Sequence, residues 1–271
     1  MKVVLFCGGA GTRIRDYSES IPKPMIPVGE QPILWHLMNY YGQYGHKDFV
    51  LCLGYKANII KEFFLSYRPQ AFADCIVSGF NGDVKVLGDA QQDWRVTLID
   101  TGLWRNIGER MWSVRKYVED EEIFLANYSD GLSDANLNEM IETFKNSGKA
   151  AAFLAVRPSF SLHMVDFDQT GSVKALRPTQ QADMWVNGGF FIMRPRVFDY
   201  MREGEELVEA PFLRLIEDNQ LMAFKHEGFW RPMDTLKDKQ ILEDLVEQGV
   251  MPWRLDNEPT PPSVIRPRGG R

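Results

Sequence analysis

The stretch Val3-Val4-Leu5-Phe6-Cys7-Gly8-Gly9-Ala10-Gly11-Thr12-Arg13 joins an apolar run directly to a glycine-rich turn. Residues 3–6 carry no polar side chain. Continuous apolar runs of this kind are typical of strands that are buried on both faces of a parallel sheet. Glycine in the turn lets backbone N–H groups approach an anion closely. The stretch therefore predicts a buried first strand that ends at an anion-binding loop.

The segments that follow alternate between helix and strand patterns. Residues 32–44 predict a helix that begins at a proline and ends before Gly45. Residues 49–53 predict a second buried strand, and residues 58–67 predict a second helix. This order favours an α/β fold with a doubly wound, mostly parallel, Rossmann-like sheet.

The pattern changes after about residue 157. Before it, strands are predicted at residues 74–78, 84–87, 96–100, 123–126 and 150–156, and helices at 108–117 and 137–147. After it, residues 165–168 and 172–176 alternate like a hairpin, with Gly171 in the turn. Strands are then predicted at residues 190–193 and 222–227, and helices at 212–218 and 236–248. The second part of the chain is therefore expected to be richer in short strands.

Composition narrows the classes of protein. The 271 residues carry a formal net charge of −6 and no basic tail, which argues against nucleic acid as a partner. No apolar stretch approaches the roughly 20 residues that a membrane span needs. The three cysteines form no CxxC pair, and Cys7 and Cys52 lie in apolar runs, as small core residues of a reducing compartment do. We expect a cytoplasmic protein with no membrane contact.

The glycine turn has three other interpretations. A P-loop ATPase requires a Gly-Lys-Ser/Thr sequence, which the chain lacks. A dinucleotide-binding oxidoreductase requires a third glycine where Ile14 stands, and an acidic residue where Gly54-Tyr55-Lys56 ends the second strand. A turn that binds nothing stays open on the glycines alone. The neighbouring Thr12 and Arg13, which suit phosphate oxygens, argue against it.

Three further residues suggest a phosphate and metal site. Lys23 lies between two prolines, which stiffen the backbone that carries its charge. Asp130 follows an apolar strand, where ligands of open α/β sheets gather, and Asp234 precedes a helix. Two carboxylates without a neighbouring His or Cys suit Mg²⁺. The alternatives are that Asp130 is a turn residue and that Asp234 is a helix N-cap.

At this point the chain resembles a known family. The sequence of residues 8–13, followed by Pro22-Lys23-Pro24-Met25, is similar to the signature of the sugar-1-phosphate nucleotidyltransferases. The stretches Gln31–His36, Lys47–Cys52, Asn187–Phe191 and Gly228–Thr235 resemble most closely the glucose-1-phosphate cytidylyltransferases. The resemblance runs from Met1 to about Trp253.

The resemblance implies a reaction and a set of residues. CTP, or another nucleoside triphosphate, would react with a phosphorylated small molecule, chiefly a sugar 1-phosphate such as glucose 1-phosphate, and release pyrophosphate. Asp130 and Asp234 would hold Mg²⁺, and Lys23, Arg13 and Asp130 would be catalytic. The residues implied to bind the nucleotide are Phe6, Gly8, Gly9, Gly11, Thr12, Arg13, Lys23 and Arg110. For Arg110 a solvated helix residue is the alternative. The family also implies a homo-oligomer.

The acceptor side departs from the family. Its Glu-Lys-Pro is replaced by Ala175-Leu176-Arg177-Pro178, so that Arg177 would stand in for the lysine with a different geometry. Asn187 and Gly188, which match sugar contacts of the family, are intact. His163 and Trp185 would shape the acceptor pocket, unless they belong to the core or the surface. Two alternatives stay open: a cytidylyltransferase for another phosphorylated acceptor, and a non-catalytic regulator that binds nucleotide sugars.

The domain organisation follows from these expectations. We predict one nucleotidyltransferase domain over residues 1–255. Residues 1 to about 156 would be the nucleotide-binding core, and residues 157–255 a small β-rich acceptor-binding region that carries the second metal ligand. Residues 256–271 contain four prolines and no periodicity, and we expect a loosely ordered tail there.

Overall fold

The computed structural model describes residues 1–9, 11, 14, 20–68, 74–78, 83–87, 93–158, 163–179 and 183–255. The predicted phosphate residues Thr12 and Arg13 and the tail at 256–271 lie outside the described residues. In the described part of the chain, no helix is long and apolar enough to cross a membrane.

The strands and helices agree with most of the sequence predictions. The described strands are β1 (Lys2–Phe6), β2 (Pro27–Val28), β3 (Gln31–Pro32), β4 (Asp48–Leu53), β5 (Cys75–Val77), β6 (Val84–Val86), β7 (Arg95–Asp100), β8 (Phe124–Asn127), β9 (Gly131–Ser133), β10 (Ala151–Val156), β11 (His163–Phe167), β12 (Val173–Pro178), β13 (Val186–Met193), β14 (Leu221–His226) and β15 (Trp230–Pro232). The described α-helices are α1 (Ile33–Gln43), α2 (Ala57–Ser66), α3 (Ile107–Ser113), α4 (Arg115–Val118), α5 (Leu137–Ser147), α6 (Ala210–Glu217) and α7 (Leu236–Glu247).

A seven-stranded sheet forms the centre of the molecule. Its strand order is β14-β10-β13-β8-β1-β4-β7. All neighbours pair in parallel except β13, which is antiparallel to both β8 and β10. Parallel neighbours need a long crossover, usually a helix. Only the β11–β12 ribbon is described between β10 and β13, and β13 returns antiparallel. The prediction of a doubly wound, mostly parallel α/β sheet is confirmed.

The sheet is buried on both faces, as the apolar run at residues 3–6 predicted. Val3 and Leu5 pack in one hydrophobic cluster, whereas Val4 and Phe6 pack in the other. Helix α1 covers the first face and helices α3 and α6 cover the second. Fixed packing on both sides gives the carboxyl ends of the central strands fixed positions. Those ends carry the residues of the site.

The carboxyl edge of the sheet gathers several of the predicted residues. Strand β1 ends at Phe6 just before Gly8, and β8 ends just before residues 128–130. Because β13 runs the other way, its first residues, including Asn187, lie at this same edge. The short ribbon of β9 and β15, which the sequence analysis did not predict, adds a further connection there.

Candidate active site

Three charged side chains meet above the carboxyl edge. Lys23 Nζ lies 2.7 Å from Asp130 Oδ2 and 2.6 Å from Asp234 Oδ1. The side chain of Lys23 is 11% exposed, whereas those of Asp130 and Asp234 are 29% and 31% exposed. The lysine therefore lies behind two carboxylates that remain open to solvent. The structure brings together three residues that are 107 and 211 positions apart in sequence.

Prolines set the backbone that carries Lys23. Residues Lys23–Met25 form a short 3₁₀ turn that follows Pro22 and has Pro24 in its first turn. Met25 N–H donates to Pro22 O, and Ile26 N–H donates to Lys23 O. Proline fixes φ near −65°, which suits the first turn of a helix. The Pro-Lys-Pro sequence thus holds the lysine in one orientation, as predicted.

The β9–β15 ribbon brings the two aspartates together. Gly131 pairs with Pro232, and Met233 N–H donates to Asp130 O at 2.7 Å. Asp130 and Asp234 therefore flank one short antiparallel ladder. The N-cap of α7 is Thr235, whose hydroxyl accepts from Asp238 N–H in a capping box. Asp234 is not the N-cap, so that alternative is wrong.

The charges around Lys23 favour its protonated form. Burial disfavours the cation and lowers the pKa of Lys23. Asp130 and Asp234 outweigh this effect through charge attraction and hydrogen bonds, and the net result is a pKa above the ordinary value of 10.5. Lys23 is therefore a fixed cation at neutral pH.

A cavity of about 530 Å³ opens in front of this cluster. It has the size of an ordinary small-molecule site. It is lined by Phe6, Gly9, Gly11, Lys23, Pro24, Ile107, Tyr128, Asp130, Gly131, Asn187, Gly188, Trp230, Pro232 and Asp234. Eight of these residues, including both predicted metal ligands, were predicted to bind the nucleotide, the metal or the acceptor. The cavity is the place where the predictions converge.

Arg110 lies beneath the glycine turn and not in solvent. Arg110 is 2% exposed, so the alternative of a solvated helix residue is wrong. Its guanidinium donates to Gly8 O at 3.1 Å, to Leu53 O at 3.1 Å and to Thr101 Oγ1 at 2.7 Å. It also donates to two carbonyl oxygens of the turn after β7, Gly102 O at 2.9 Å and Leu103 O at 3.2 Å.

The packing of Arg110 explains why residue 8 is glycine. A methyl group on Gly8 would lie 2.1 Å from Arg110 Nη1. Burial lowers the pKa of Arg110 from its ordinary value, but the group stays charged. A buried guanidinium thus joins the first glycine of the turn to the ends of β4 and β7. Whether Arg110 also contacts a nucleotide stays a prediction.

Asn187 and Tyr128 form another part of the cavity wall. Asn187 Nδ2 donates to Tyr128 Oη at 3.2 Å, and Asn187 Oδ1 accepts from Gly189 N–H at 2.9 Å. Gly189 has φ of +78°, and a Cβ there would meet the Tyr128 ring at 2.6 Å. Only glycine satisfies both conditions. Trp230 completes the wall, with Nε1 donating to Gly188 O at 2.9 Å.

Three predicted acceptor residues do not line this cavity. Arg177 lies on the β11–β12 ribbon, where its guanidinium is ion-paired with Asp166. His163 is exposed at the start of β11. The ring centroid of Trp185 lies 4.2 Å from Arg157 Cζ and 5.0 Å from Lys225 Nζ. Their roles with the acceptor stay predictions.

Sequence reasoning missed six residues of the cavity wall, and three of them, Tyr128, Trp230 and Ile107, have large side chains. Tyr128 lies two positions before Asp130, and Trp230 lies four positions before Asp234. Ile107 enters from the start of α3. Tyr128 and Trp230 are large aromatic residues next to the predicted metal ligands, and this proximity was the signal that could have identified them. Ile107 offered no such signal, because its position depends on how α3 packs.

The carboxylates fit a hard divalent cation. In the described residues no group of three or more His, Cys, Asp or Glu side chains could hold a metal. Mg²⁺ commonly binds through one or two carboxylates and completes its coordination with substrate phosphates and water. Two partly exposed carboxylates, Asp130 and Asp234, on the wall of a cavity satisfy that requirement.

Comparisons with known proteins agree on one family. Residues 2–238 match the family model described as nucleotidyl transferase. The glucose-1-phosphate cytidylyltransferase of Salmonella typhi is 39% identical over 256 residues, which are 94% of this chain and 99% of that protein. The probable glucose-1-phosphate cytidylyltransferase of Bacillus subtilis is 35% identical over 257 residues, which are 94% of this chain and all of that protein.

Solved structures show the same fold. HddC from Yersinia pseudotuberculosis superposes with a TM-score of 0.65 at 18% identity, and the match covers 90% of this chain and 99% of that one. At this identity the likeness concerns the fold alone. It supports the sheet architecture on which the cavity is built.

Proposed function

The chain belongs to the nucleotidyl transferase family, and on that premise we propose that it transfers CMP from CTP to glucose 1-phosphate and releases pyrophosphate. The observation that carries the proposal is the Lys23, Asp130 and Asp234 cluster on the cavity wall, in a chain 39% identical to a glucose-1-phosphate cytidylyltransferase. CTP and glucose 1-phosphate are the substrates that the names of the relatives indicate.

The reaction joins two anions. A phosphate oxygen of the acceptor attacks the α-phosphorus of the triphosphate, one P–O bond forms, and the bond to pyrophosphate breaks. The attacking phosphate is already a nucleophile, so no protein residue has to remove a proton. The task of the protein is positioning and the neutralisation of charge.

The residues of the cavity divide this task. Lys23 is a buried, fixed cation that would lie beside the reacting phosphates. Asp130 and Asp234 would hold Mg²⁺, which when bound supplies further positive charge between the two reactants. The backbone of Gly9 and Gly11, together with Phe6, would receive the nucleotide. These roles rest on position and on the resemblance.

The other wall would receive the acceptor. Asn187 and Gly188 lie on the cavity, and the amide of Asn187 is held by Tyr128 and Gly189. A held amide offers fixed hydrogen-bond groups to sugar hydroxyls. We propose that these residues, with Tyr128 and Trp230, contact the sugar.

The alternatives have less support. A different phosphorylated acceptor was suggested by the loss of the family's Glu-Lys-Pro, yet relatives at 35–39% identity that carry the glucose-1-phosphate name favour glucose 1-phosphate. A silent regulator would have no need of Lys23, Asp130 and Asp234 in contact. The homo-oligomer stays a prediction.

One assay tests the proposal. The purified chain is incubated with Mg²⁺, glucose 1-phosphate and either CTP, UTP or dTTP, and pyrophosphate release is followed while products are identified by mass spectrometry. We expect CDP-glucose, formed fastest from CTP. A panel of other sugar phosphates replaces glucose 1-phosphate in parallel. Turnover with another acceptor but none with glucose 1-phosphate would reject the proposed substrate, and no turnover with any pair would reject the activity.

A further inference from the structure

Ser129 has an unusual backbone conformation directly before Asp130. Its φ is +68°, and the residue is buried. Only two other described non-glycine residues, Lys56 and Asn219, have positive φ. A side chain in the left-handed region costs roughly 1–3 kcal/mol, so the surroundings must hold it there. The direction of the chain at Ser129 decides where the Asp130 carboxylate lies.

Asn127 holds this conformation from one side. Its Oδ1 accepts from Ser129 N–H at 2.8 Å, and its Nδ2 donates to Tyr41 Oη at 3.2 Å. Tyr41 is a buried residue of helix α1. The amide of Asn127 is itself buried and has its donor and its acceptor satisfied by these two contacts. A fixed amide therefore joins the core helix to the residue before Asp130.

Cys7 touches Ser129 from the other side. Cys7 Sγ donates to Ser129 Oγ at 3.5 Å, and Cys7 immediately precedes Gly8, the first residue of the glycine turn. Ser129 Oγ also lies 3.5 Å from Asn127 O. The buried polar chain thus runs from α1 to the glycine turn through Ser129, the residue before Asp130.

This chain of contacts is not needed to form strand β8. Asn127 already pairs through the backbone with Leu5 on one side and with Phe190 on the other. The side-chain bonds of Asn127 add nothing to that ladder. They act on Ser129, the second residue after the strand and the one directly before Asp130. Neither Asn127 nor Ser129 lines the cavity.

We propose that Asn127 and Ser129 are positioning residues that hold the Asp130 carboxylate against Lys23. Asn127 fixes the left-handed conformation of Ser129, and that conformation aims Asp130 at the cavity. The inference rests on the proposed function for its catalytic consequence, but not for its geometry. Neither side chain contacts the substrates.

The geometry is tested in crystals of the metal-free Asn127→Ala chain. The Lys23 Nζ to Asp130 Oδ2 contact, 2.7 Å in the native chain, is expected to be lost while the central sheet is unchanged. If the Asn127→Ala chain does not fold, the same contact is measured in the Ser129→Thr chain. A β-branched residue resists positive φ, and it keeps the hydroxyl. An unchanged contact in the folded variant overturns the proposal.

The catalytic consequence is tested by a double-mutant cycle. Asn127→Ala is expected to lower kcat about 10-fold, because a displaced catalytic group costs one to two orders of magnitude. Glycine adopts positive φ without the help of Asn127. In a Ser129→Gly background the same Asn127→Ala change is therefore expected to cost less than about threefold. An equal loss in both backgrounds contradicts the proposal.

A matched control uses Asn136. Its Oδ1 also accepts a backbone N–H, from Glu139 at 3.2 Å, but it caps α5 away from the cavity. Asn136→Ala is expected to leave kcat unchanged. A kcat loss equal to that of Asn127→Ala would show a general effect of stability and overturn the inference. If the native chain has no activity, the proposed function fails, whereas the crystals still decide the geometry.

Discussion

Two arginines that were both expected to meet phosphates have opposite surroundings. Arg110 is buried and donates to five oxygens of the protein, among them the carbonyl of Gly8. Arg177 is 57% exposed and is ion-paired with Asp166 on the neighbouring strand of a two-stranded ribbon. Packing fixes the first side chain in one place, whereas the second is held by a surface pair of little energetic value.

The same contrast extends to the regions around them. The proposed nucleotide side, which we define as Phe6, Gly8, Lys23, Arg110 and Asp130, is built around the ends of β1 and β8, and both strands are covered on both faces. The β11–β12 ribbon has exposed apolar and charged residues and, among the strands that the structure describes, pairs with none of the central sheet. Where packing fixes the backbone, the role that a residue has in related proteins can be assigned to the matching residue of this chain. On the ribbon the same assignment has weak physical support.

The largest effect is expected on the nucleotide side. Asp234→Ala removes one of two carboxylates proposed to hold Mg²⁺ and is expected to lower kcat by about 1000-fold. The chain should remain folded, because the capping box of Thr235 and Asp238 that begins α7 does not involve Asp234. Steady-state kinetics and thermal unfolding measure both quantities.

A matched control for Asp234 is Asp93→Ala. Asp93 also forms an ion pair with a lysine, Lys47, but this pair lies on the surface and away from the cavity. Its replacement is expected to leave kcat unchanged. Activity of the Asp234→Ala chain near that of Asp93→Ala would remove Asp234 from the metal site and with it the proposed role of the cluster.

A second effect tests whether the glycine turn is held by Arg110. In Gly8→Ala the new methyl group must displace the guanidinium of Arg110, which would break bonds to β4 and the turn after β7. We expect kcat/KM for CTP to fall about 100-fold and the free energy of unfolding to fall by about 1–3 kcal/mol. Kinetics and urea unfolding provide the measurement.

The neighbouring glycine gives the contrast. A methyl group at Gly9 meets no atom of the described residues within 4 Å. Gly9→Ala is therefore expected to change the free energy of unfolding by less than about 0.5 kcal/mol. Equal destabilisation by Gly8→Ala and Gly9→Ala would mean that the contact with Arg110 does not determine the residue at position 8.

The sequence predicted the central sheet well because its signals are local. The apolar run at residues 3–6 is enough to indicate a strand covered on both faces, and Pro22 and Pro24 are enough to indicate a stiff support for Lys23. The direction of β13 could not be predicted in this way. It depends on the connection from β10, in which the described residues form the β11–β12 ribbon, and periodicity within β13 does not reveal that connection.

The site could be predicted only in part, for a related reason. Asp130 and Asp234 meet because β9 pairs with β15, and neither three-residue strand has a recognisable pattern. Tyr128 and Trp230 lie close to these aspartates in sequence, but their place on the cavity wall depends on that ladder. Arg177 was assigned by analogy with a motif that the chain lacks. Long-range pairing and exposed ribbons are the features that a single sequence encodes least directly.

An intermediate effect is expected at Asn187, on the part of the wall proposed to receive the acceptor. Asn187→Ala removes the donor to Tyr128 and the acceptor for the N–H of Gly189, whose positive φ then has less support. We expect the KM for glucose 1-phosphate to rise about 10- to 30-fold, since buried polar groups are left without partners. The KM for CTP should change less than about threefold. A larger rise for CTP than for glucose 1-phosphate would move Asn187 out of the acceptor wall.

The smallest effect is expected on the ribbon. Arg177 does not line the cavity and is paired with Asp166, so Arg177→Ala should raise the KM for glucose 1-phosphate by less than about threefold. Asp166→Ala is the matched control, because it breaks the same ion pair and leaves Arg177 in place. A rise of about 30-fold in Arg177→Ala that is not seen in Asp166→Ala would mean that the guanidinium leaves Asp166 to bind the acceptor phosphate. The contrast between the two arginines would then describe only the free chain, and the role implied by the family resemblance would hold on the ribbon as well.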